Sequence, residues 1–152
     1  MEIAIKDENA MRQFGQRLGA WLQAGDIVEL VGDVGAGKTT LTRTIAQELG
    51  ITDTIQSPTF TICNRYDGPD TLQLAHYDFY RLDDAGIMRE ELNETLDSND
   101  TITIIEWGDI VADILPSRRL TIHLTPTAES ETSRTLKLMA HDHVLEKRLL
   151  QL

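Results

Sequence analysis

Residues 32–40 read GDVGAGKTT and lie between the apolar run IVELV at 27–31 and the stretch LTRTIAQELG at 41–50. Gly32, four intervening residues, then Gly37, Lys38 and Thr39 have the spacing of a phosphate-binding loop, and the loop stands where that motif needs to stand, between a strand and a helix. Ile27–Val31 is a short, largely β-branched run of the kind buried on both faces of a sheet. Leu41, Ile45 and Leu49 mark the apolar stripe of a helix that stops at Gly50. In such a loop the glycines let successive amides turn inward toward phosphate oxygens, and the helix that follows adds its N-terminal partial charge. Lys38 is placed to reach the β- and γ-phosphates and the Thr39 hydroxyl to ligate Mg²⁺. The expected ligand is a nucleoside triphosphate, assigned to Gly35, Ala36, Gly37, Lys38, Thr39 and Thr40.

The rest of the chain sets the frame for that loop. With 152 residues, 41% apolar and 26% charged, it is long enough for one domain that buries roughly 68–70% of its unfolded surface. No run approaches the ~18 apolar residues of a membrane span, and the opening MEIAIKDENA lacks the basic start and apolar centre of a signal peptide. A cytoplasmic protein is expected. The one cysteine, Cys63, cannot form an internal disulfide and reads as a buried strand residue. Twenty-five acidic against 14 basic residues give a net charge of −11 without any block of like charge. That balance disfavours autonomous binding to nucleic acid and points to a protein partner or a locally held anion.

Periodicity predicts a strand over 1–6 and an amphipathic helix over 8–23, with Met11, Phe14, Leu18, Trp21 and Leu22 on its apolar face. Further strands are expected at 59–66, 72–77, 101–106, 120–124 and 135–139. Short helices are expected near 83–96 and 109–115, and the tail from 143 to 152 forms either one more helix or a frayed end. There is no repeat, low-complexity tract or linker. The fold class is α/β, a three-layer phosphate-loop NTPase arrangement around a mostly parallel central sheet.

Missing motifs narrow the class. The nearest string to a guanine-reading Asn-Lys-x-Asp is Asn64-Arg65-Tyr66-Asp67, which has Arg for Lys and falls in a predicted strand, so GTP specificity is unsupported. A small-metabolite kinase needs an arginine-rich lid, for which Arg118, Arg119 and Arg134 are the candidates.

Three more strings follow the loop in order: SPTF at 57–60, HYDFYRL at 76–82 and IIEWGD at 104–109. With GDVGAGKTT they make the chain resemble the small bacterial ATPase family of tRNA threonylcarbamoyladenosine biosynthesis, TsaE or YjeE, over nearly its whole length. The resemblance implies an ATPase that uses Mg²⁺ and works with a threonylcarbamoyl-transferase complex of TsaD and TsaB type subunits, touching tRNA only indirectly and no membrane. It departs from the family pattern after HYDFYRL, where REELNETLDSND at 89–100 lacks the usual glycine.

Each string also has a physical reading. The apolar strand 102–105 ends in Glu106, where phosphate-loop enzymes place a carboxylate that ligates the metal, directly or through water, or orients the attacking water. Trp107 is either core packing or a neighbour of the nucleotide. Pro58 forces Ser57 toward extended backbone and leaves Thr59 with a free hydroxyl in a segment suited to sensing the γ-phosphate. Alternation along 76–80 puts His76, Asp78 and Tyr80 opposite Tyr77 and Phe79. Asp78 then binds Mg²⁺ through water or orients Thr59, and His76 is either a satisfied buried imidazole or part of the chemistry. His123, His141 and His143 read as structural or surface groups. Glu8 and the segment 130–134 are the candidates for the adenine end of the pocket.

The catalytic candidates are thus Lys38, Thr59, Asp78 and Glu106, and the metal ligands Thr39 and Glu106. An ATP-dependent binding switch, in which hydrolysis only resets the bound state, and a small-metabolite kinase remain alternatives.

Overall fold

The computed structural model describes residues 1–152. Strands β1 (Glu2–Ile5), β2 (Ile27–Val31), β3 (Cys63–Asp67), β4 (Gln73–Asp78), β5 (Thr101–Glu106), β6 (Leu120–Pro126) and β7 (Arg134–Ala140) form one sheet in the order β1-β7-β6-β2-β5-β4-β3. Helices α1 (Glu8–Trp21), α2 (Lys38–Glu48), α3 (Met88–Leu96) and α4 (His143–Leu149) complete the chain, with a 3-10 turn at Gly108–Val111.

The sheet is mixed rather than mostly parallel. The central ladders β6·β2, β2·β5 and β5·β4 are parallel, and β1·β7, β7·β6 and β4·β3 are antiparallel. Connection length accounts for part of the split: a short loop returns a strand antiparallel, as between β3 and β4 or β6 and β7, whereas the parallel neighbours β4 and β5 are joined by a crossover through α3.

Strand alternation sends the core to both faces. Val28, Leu30, Leu74, Ile102, Ile104 and Ile122 pack with Phe14, Leu18, Leu41 and Ile45 of α1 and α2. Ile27, Ala75, Tyr77 and Ile105 pack with Leu92 and Leu96 of α3 and with Val111 on the other side. Every residue of β5 is buried, as expected for a central parallel strand covered on both faces. The charged intruder in β2, Glu29, is tolerated because its Oε2 accepts hydrogen bonds from Thr121 Oγ1 at 2.7 Å and Arg119 Nε at 3.1 Å. Asp7 caps α1 by accepting from Ala10 N at 2.8 Å, and Asp142 caps α4 by accepting from Leu145 N at 2.7 Å. The tail is therefore a helix, pinned by Leu145 and Leu149 in the core.

Three predicted elements are shorter than their patterns suggested, and the helix expected near 109–115 is only the 3-10 turn Gly108–Val111. The strand expected at 59–66 begins only at Cys63, because Ile62 N donates back to Pro58 O at 2.6 Å and Ile62 takes a φ of 67°. The hydroxyls of residues 57 and 59 turn to the Asp78 carboxylate instead of lining a ladder. The helix expected from 83 starts at Met88, since Asp84 Oδ1 accepts from Gly86 N at 2.9 Å and makes a turn there. Cys63 itself is only partly buried, at the start of β3.

Candidate active site

The carboxyl ends of β2, β5 and β4 point the same way, and at such ends open α/β sheets place their ligand crevices. β2 runs into the loop 32–37, which hands the chain to α2. Gly37 holds a φ of 106°, open to glycine and strained for other residues. Gly32 is needed for another reason: a Cβ there would lie 2.7 Å from Leu124 O of β6. The first-turn amides of α2 have no intrahelical acceptor, so the loop and helix together present donors at one end of the sheet.

Lys38, the first residue of α2, is buried to 5% exposure. Its ammonium donates to Gly32 O at 2.6 Å and Asp33 O at 3.0 Å, and lies 4.9 Å from the centroid of the Trp107 ring. The cation is thus held over the loop without a carboxylate partner. Trp107 adopts a left-handed φ of 55° immediately after β5, a strained conformation for a bulky residue, and its ring meets that of Tyr80 at 4.8 Å.

The two carboxylates are brought side by side by strand register, since Asp78 and Glu106 are direct partners at the ends of β4 and β5. Both are buried. Asp78 Oδ2 accepts from Thr59 Oγ1 at 3.1 Å and from Ser57 Oγ at 3.3 Å, and the two hydroxyls are 2.8 Å apart. Asp78 Oδ1 accepts from Tyr80 N at 2.9 Å. Glu106 Oε1 lies 2.8 Å from His76 Nε2.

These groups line a single cavity of about 380 Å³ that includes Gly35, Gly37, Lys38, Thr39, Thr40, Thr59, Asp78, Glu106 and Trp107. Two sequence candidates are not among its walls. Ala36 is packed into the core, and Glu8 is exposed at the start of α1, 3.8 Å from Arg12. Ser57, Tyr80 and Arg81 line the cavity although sequence reasoning gave them no role; the signal was present, because all three belong to the strings SPTF and HYDFYRL.

Arg134 was proposed for a lid or an adenine contact, and the structure commits it elsewhere. Its Nε donates to Ala36 O at 3.1 Å and its Nη2 to Gly35 O at 3.2 Å, so it braces the outside of the glycine-rich loop. Arg118 donates to Gly25 O and Leu96 O, and Arg119 to Glu29. Both precede β6, away from the carboxyl ends of the strands.

The other histidines stay apart from the cavity. His141 Nε2 is 2.8 Å from Thr121 Oγ1, and burial together with the neighbouring Arg119 charge lowers its pKa. His143 is exposed, 3.5 Å from Glu146. No group of three or more His, Cys, Asp or Glu is assembled that could hold a metal ion by itself. A cation here would need a hydroxyl, a carboxylate and ligand oxygens, the donor set that Mg²⁺ favours. Thr39 and Glu106 both line the cavity and would supply the protein's share of such a set.

The family model for threonylcarbamoyl adenosine biosynthesis protein TsaE matches residues 5–136. The chain belongs to the TsaE family. It is 39% identical over 118 residues to the tRNA threonylcarbamoyladenosine biosynthesis protein TsaE of Streptomyces coelicolor, covering 75% of this chain and 78% of that protein. The Synechocystis TsaE is 40% identical over 121 residues, covering 78% and 76%. A crystal structure of Bacillus subtilis YdiB superposes with a TM-score of 0.81 at 28% identity, covering 99% of this chain and 92% of the other. Membership of the TsaE family implies a role in tRNA threonylcarbamoyladenosine biosynthesis. No helix is long and apolar enough to cross a membrane.

Proposed function

We propose that this chain is a Mg²⁺-dependent phosphate-loop ATPase, cytoplasmic, whose hydrolysis of ATP supports the complex of TsaD and TsaB type subunits that adds threonylcarbamoyl to adenosine in tRNA. The observation that carries the proposal is the convergence of Lys38, Thr39, Asp78 and Glu106 on one cavity at the strand ends. The family supplies the pathway, and the cavity supplies the chemistry.

The reaction is in-line attack of water on the γ-phosphorus, which breaks its bond to the bridging β-γ oxygen and releases ADP and phosphate. Catalysis of this kind is mainly positioning and electrostatics. The Lys38 ammonium, now resting on the carbonyls of Gly32 and Asp33, moves to the β- and γ-oxygens as they arrive. Backbone amides of the loop and of the first turn of α2 take up further phosphate oxygens. The Thr39 hydroxyl and Glu106 would hold Mg²⁺, which would neutralise phosphate charge. Glu106 also orients the attacking water, and Asp78 holds the Thr59 hydroxyl.

The link from Thr59 and Ser57 to Asp78 favours a switch built into the enzyme. Residues 57–60 are tied to the cavity by those hydroxyl contacts and by the Phe60 ring, 4.9 Å from the Arg81 guanidinium, so a γ-phosphate that recruits Thr59 reshapes a segment carrying the exposed Phe60. A binding switch and an ATPase are then two aspects of one cycle. The kinase alternative loses its lid, because the three arginines that would form it are engaged on backbone carbonyls and Glu29.

Steady-state phosphate release, with and without the transferase complex and against a panel of phosphate acceptors, tests this reading. Slow release alone, acceleration by the complex and no acceptor dependence are expected. Phosphorylation of an acceptor, or full-speed release without partners, overturns it.

A further inference from the structure

His76 is fully buried in β4, two residues before Asp78, and has no part in the chemistry above. Its Nε2 lies 2.8 Å from Glu106 Oε1, while its Nδ1 has no hydrogen-bond partner. A ring lone pair facing a carboxylate oxygen would be repulsive, so the proton is assigned to Nε2. Nδ1 lies without a partner on the sheet face shared with Leu74 and Ile104. A buried polar atom left unpartnered is uncommon, and its retention beside a site carboxylate calls for a function.

We propose that His76 is the positioning residue of the site: its Nε2–H holds Oε1 of Glu106 and fixes the second carboxylate oxygen for the cavity. The inference rests on the ATPase reading, which it deepens. Glu106 ends its strand on a side chain with three torsions, the last of them broad. Lys38 lines the same cavity, and an untethered carboxylate there has an ammonium to fall onto. A Glu106 paired with Lys38 would neutralise the cation meant for phosphate and lose the geometry for water. The hydrogen bond from beneath prevents both. Strand register makes it possible, because His76 pairs with Ile104 and so lies one step behind Glu106 on the same face.

The test has a readout on the nucleotide-free chain and one on turnover. Imidazole ¹⁵N NMR of the nucleotide-free protein should show a slowly exchanging His76 proton on Nε2; a ring with no proton on Nε2 overturns the inference. His76→Phe keeps the ring and removes the donor, His76→Gln sets an amide nitrogen where Nε2 stands, and His76→Asn reaches only the Nδ1 position. Phosphate release should fall about tenfold or more in His76→Phe and His76→Asn, with ATP affinity within about threefold of wild type, and His76→Gln should regain most of the loss. Equal impairment of the Gln and Asn variants, in step with their melting temperatures, would mark the residue as structural only. Wild-type release by His76→Phe beside an inactive Glu106→Gln overturns the His76 role alone. Wild-type release by Glu106→Gln overturns the role given to Glu106 and the positioning role with it, whereas no release from the wild-type chain with or without the transferase complex overturns the hydrolytic reading itself.

Discussion

Replacing Arg134 with methionine keeps the aliphatic stem at the head of β7 and removes the guanidinium that braces the glycine-rich loop. Two bonds to the loop are lost, Nε to Ala36 O at 3.1 Å and Nη2 to Gly35 O at 3.2 Å. A hydrogen bond from a charged donor contributes about 1.5–3 kcal/mol when well desolvated. Arg134 is half-exposed, and solvent screening brings each bond toward about 0.5–1 kcal/mol. The two together favour the observed loop by about 1–2 kcal/mol, which nucleotide binding must then supply in the variant. At 1.4 kcal/mol per factor of ten, ATP affinity should fall about 5- to 30-fold. Titration calorimetry with a non-hydrolysable ATP analogue reads this directly, with thermal melting alongside to confirm the fold. Arg134→Lys, which can offer one of the two contacts, should fall between. An affinity for Arg134→Met within twofold of wild type, in a chain melting normally, would refute the bracing role.

Other outcomes follow from the same geometry. Gly32→Ala forces a Cβ to 2.7 Å from Leu124 O, so the loop or β6 must shift; urea unfolding should show a loss of about 1–3 kcal/mol, together with weakened nucleotide binding. Burial raises the Cys63 pKa above its ordinary value, which lowers the thiolate fraction at mildly alkaline pH, so alkylation of the native chain at pH 8 should be slower than that of the urea-unfolded chain and should quicken as pH rises. Thr59→Ala removes the hydroxyl that Asp78 holds and should abolish acceleration by the transferase complex while ATP still binds; retained acceleration, measured by phosphate release, would remove Thr59 from the switch.

The loop and its flanking elements were legible because glycine, lysine and threonine at fixed offsets after an apolar run leave few alternatives. Glu106 and Asp78 were legible as strand ends, but their pairing was not, since register is a property of two strands and neither sequence contains it. The same is true of His76 and Glu106. Residues 59–62 misled because Thr, Phe, Thr and Ile are strand formers, and only the Asp78 carboxylate, distant in sequence, draws Ser57 and Thr59 out of a ladder. Gly15 and Gly19 add nothing to the apolar periodicity of α1 and so carry no signal in sequence. In the fold a Cβ on either would come within 3 Å of Thr44 or Glu48, so they set how closely α1 meets α2. Arg134 was visible only as one more arginine, because its partners are backbone carbonyls, which have no signature in sequence. Strand β1 was placed well, but the directions of β3, β7 and β1 relative to their neighbours carry no signature in sequence, which is why a sheet expected to be mostly parallel is mixed.

The central claim is that the cavity at the strand ends hydrolyses ATP with Glu106 acting on the reacting groups. Glu106→Gln keeps the shape and removes the charge, so ATP affinity and single-turnover phosphate release measured on the same purified variant separate binding from chemistry. The account predicts affinity within a few-fold of wild type and release slowed about 100-fold or more, the scale of losing one preorganised electrostatic group. Release at the wild-type rate, or affinity and release falling by the same factor, would contradict it.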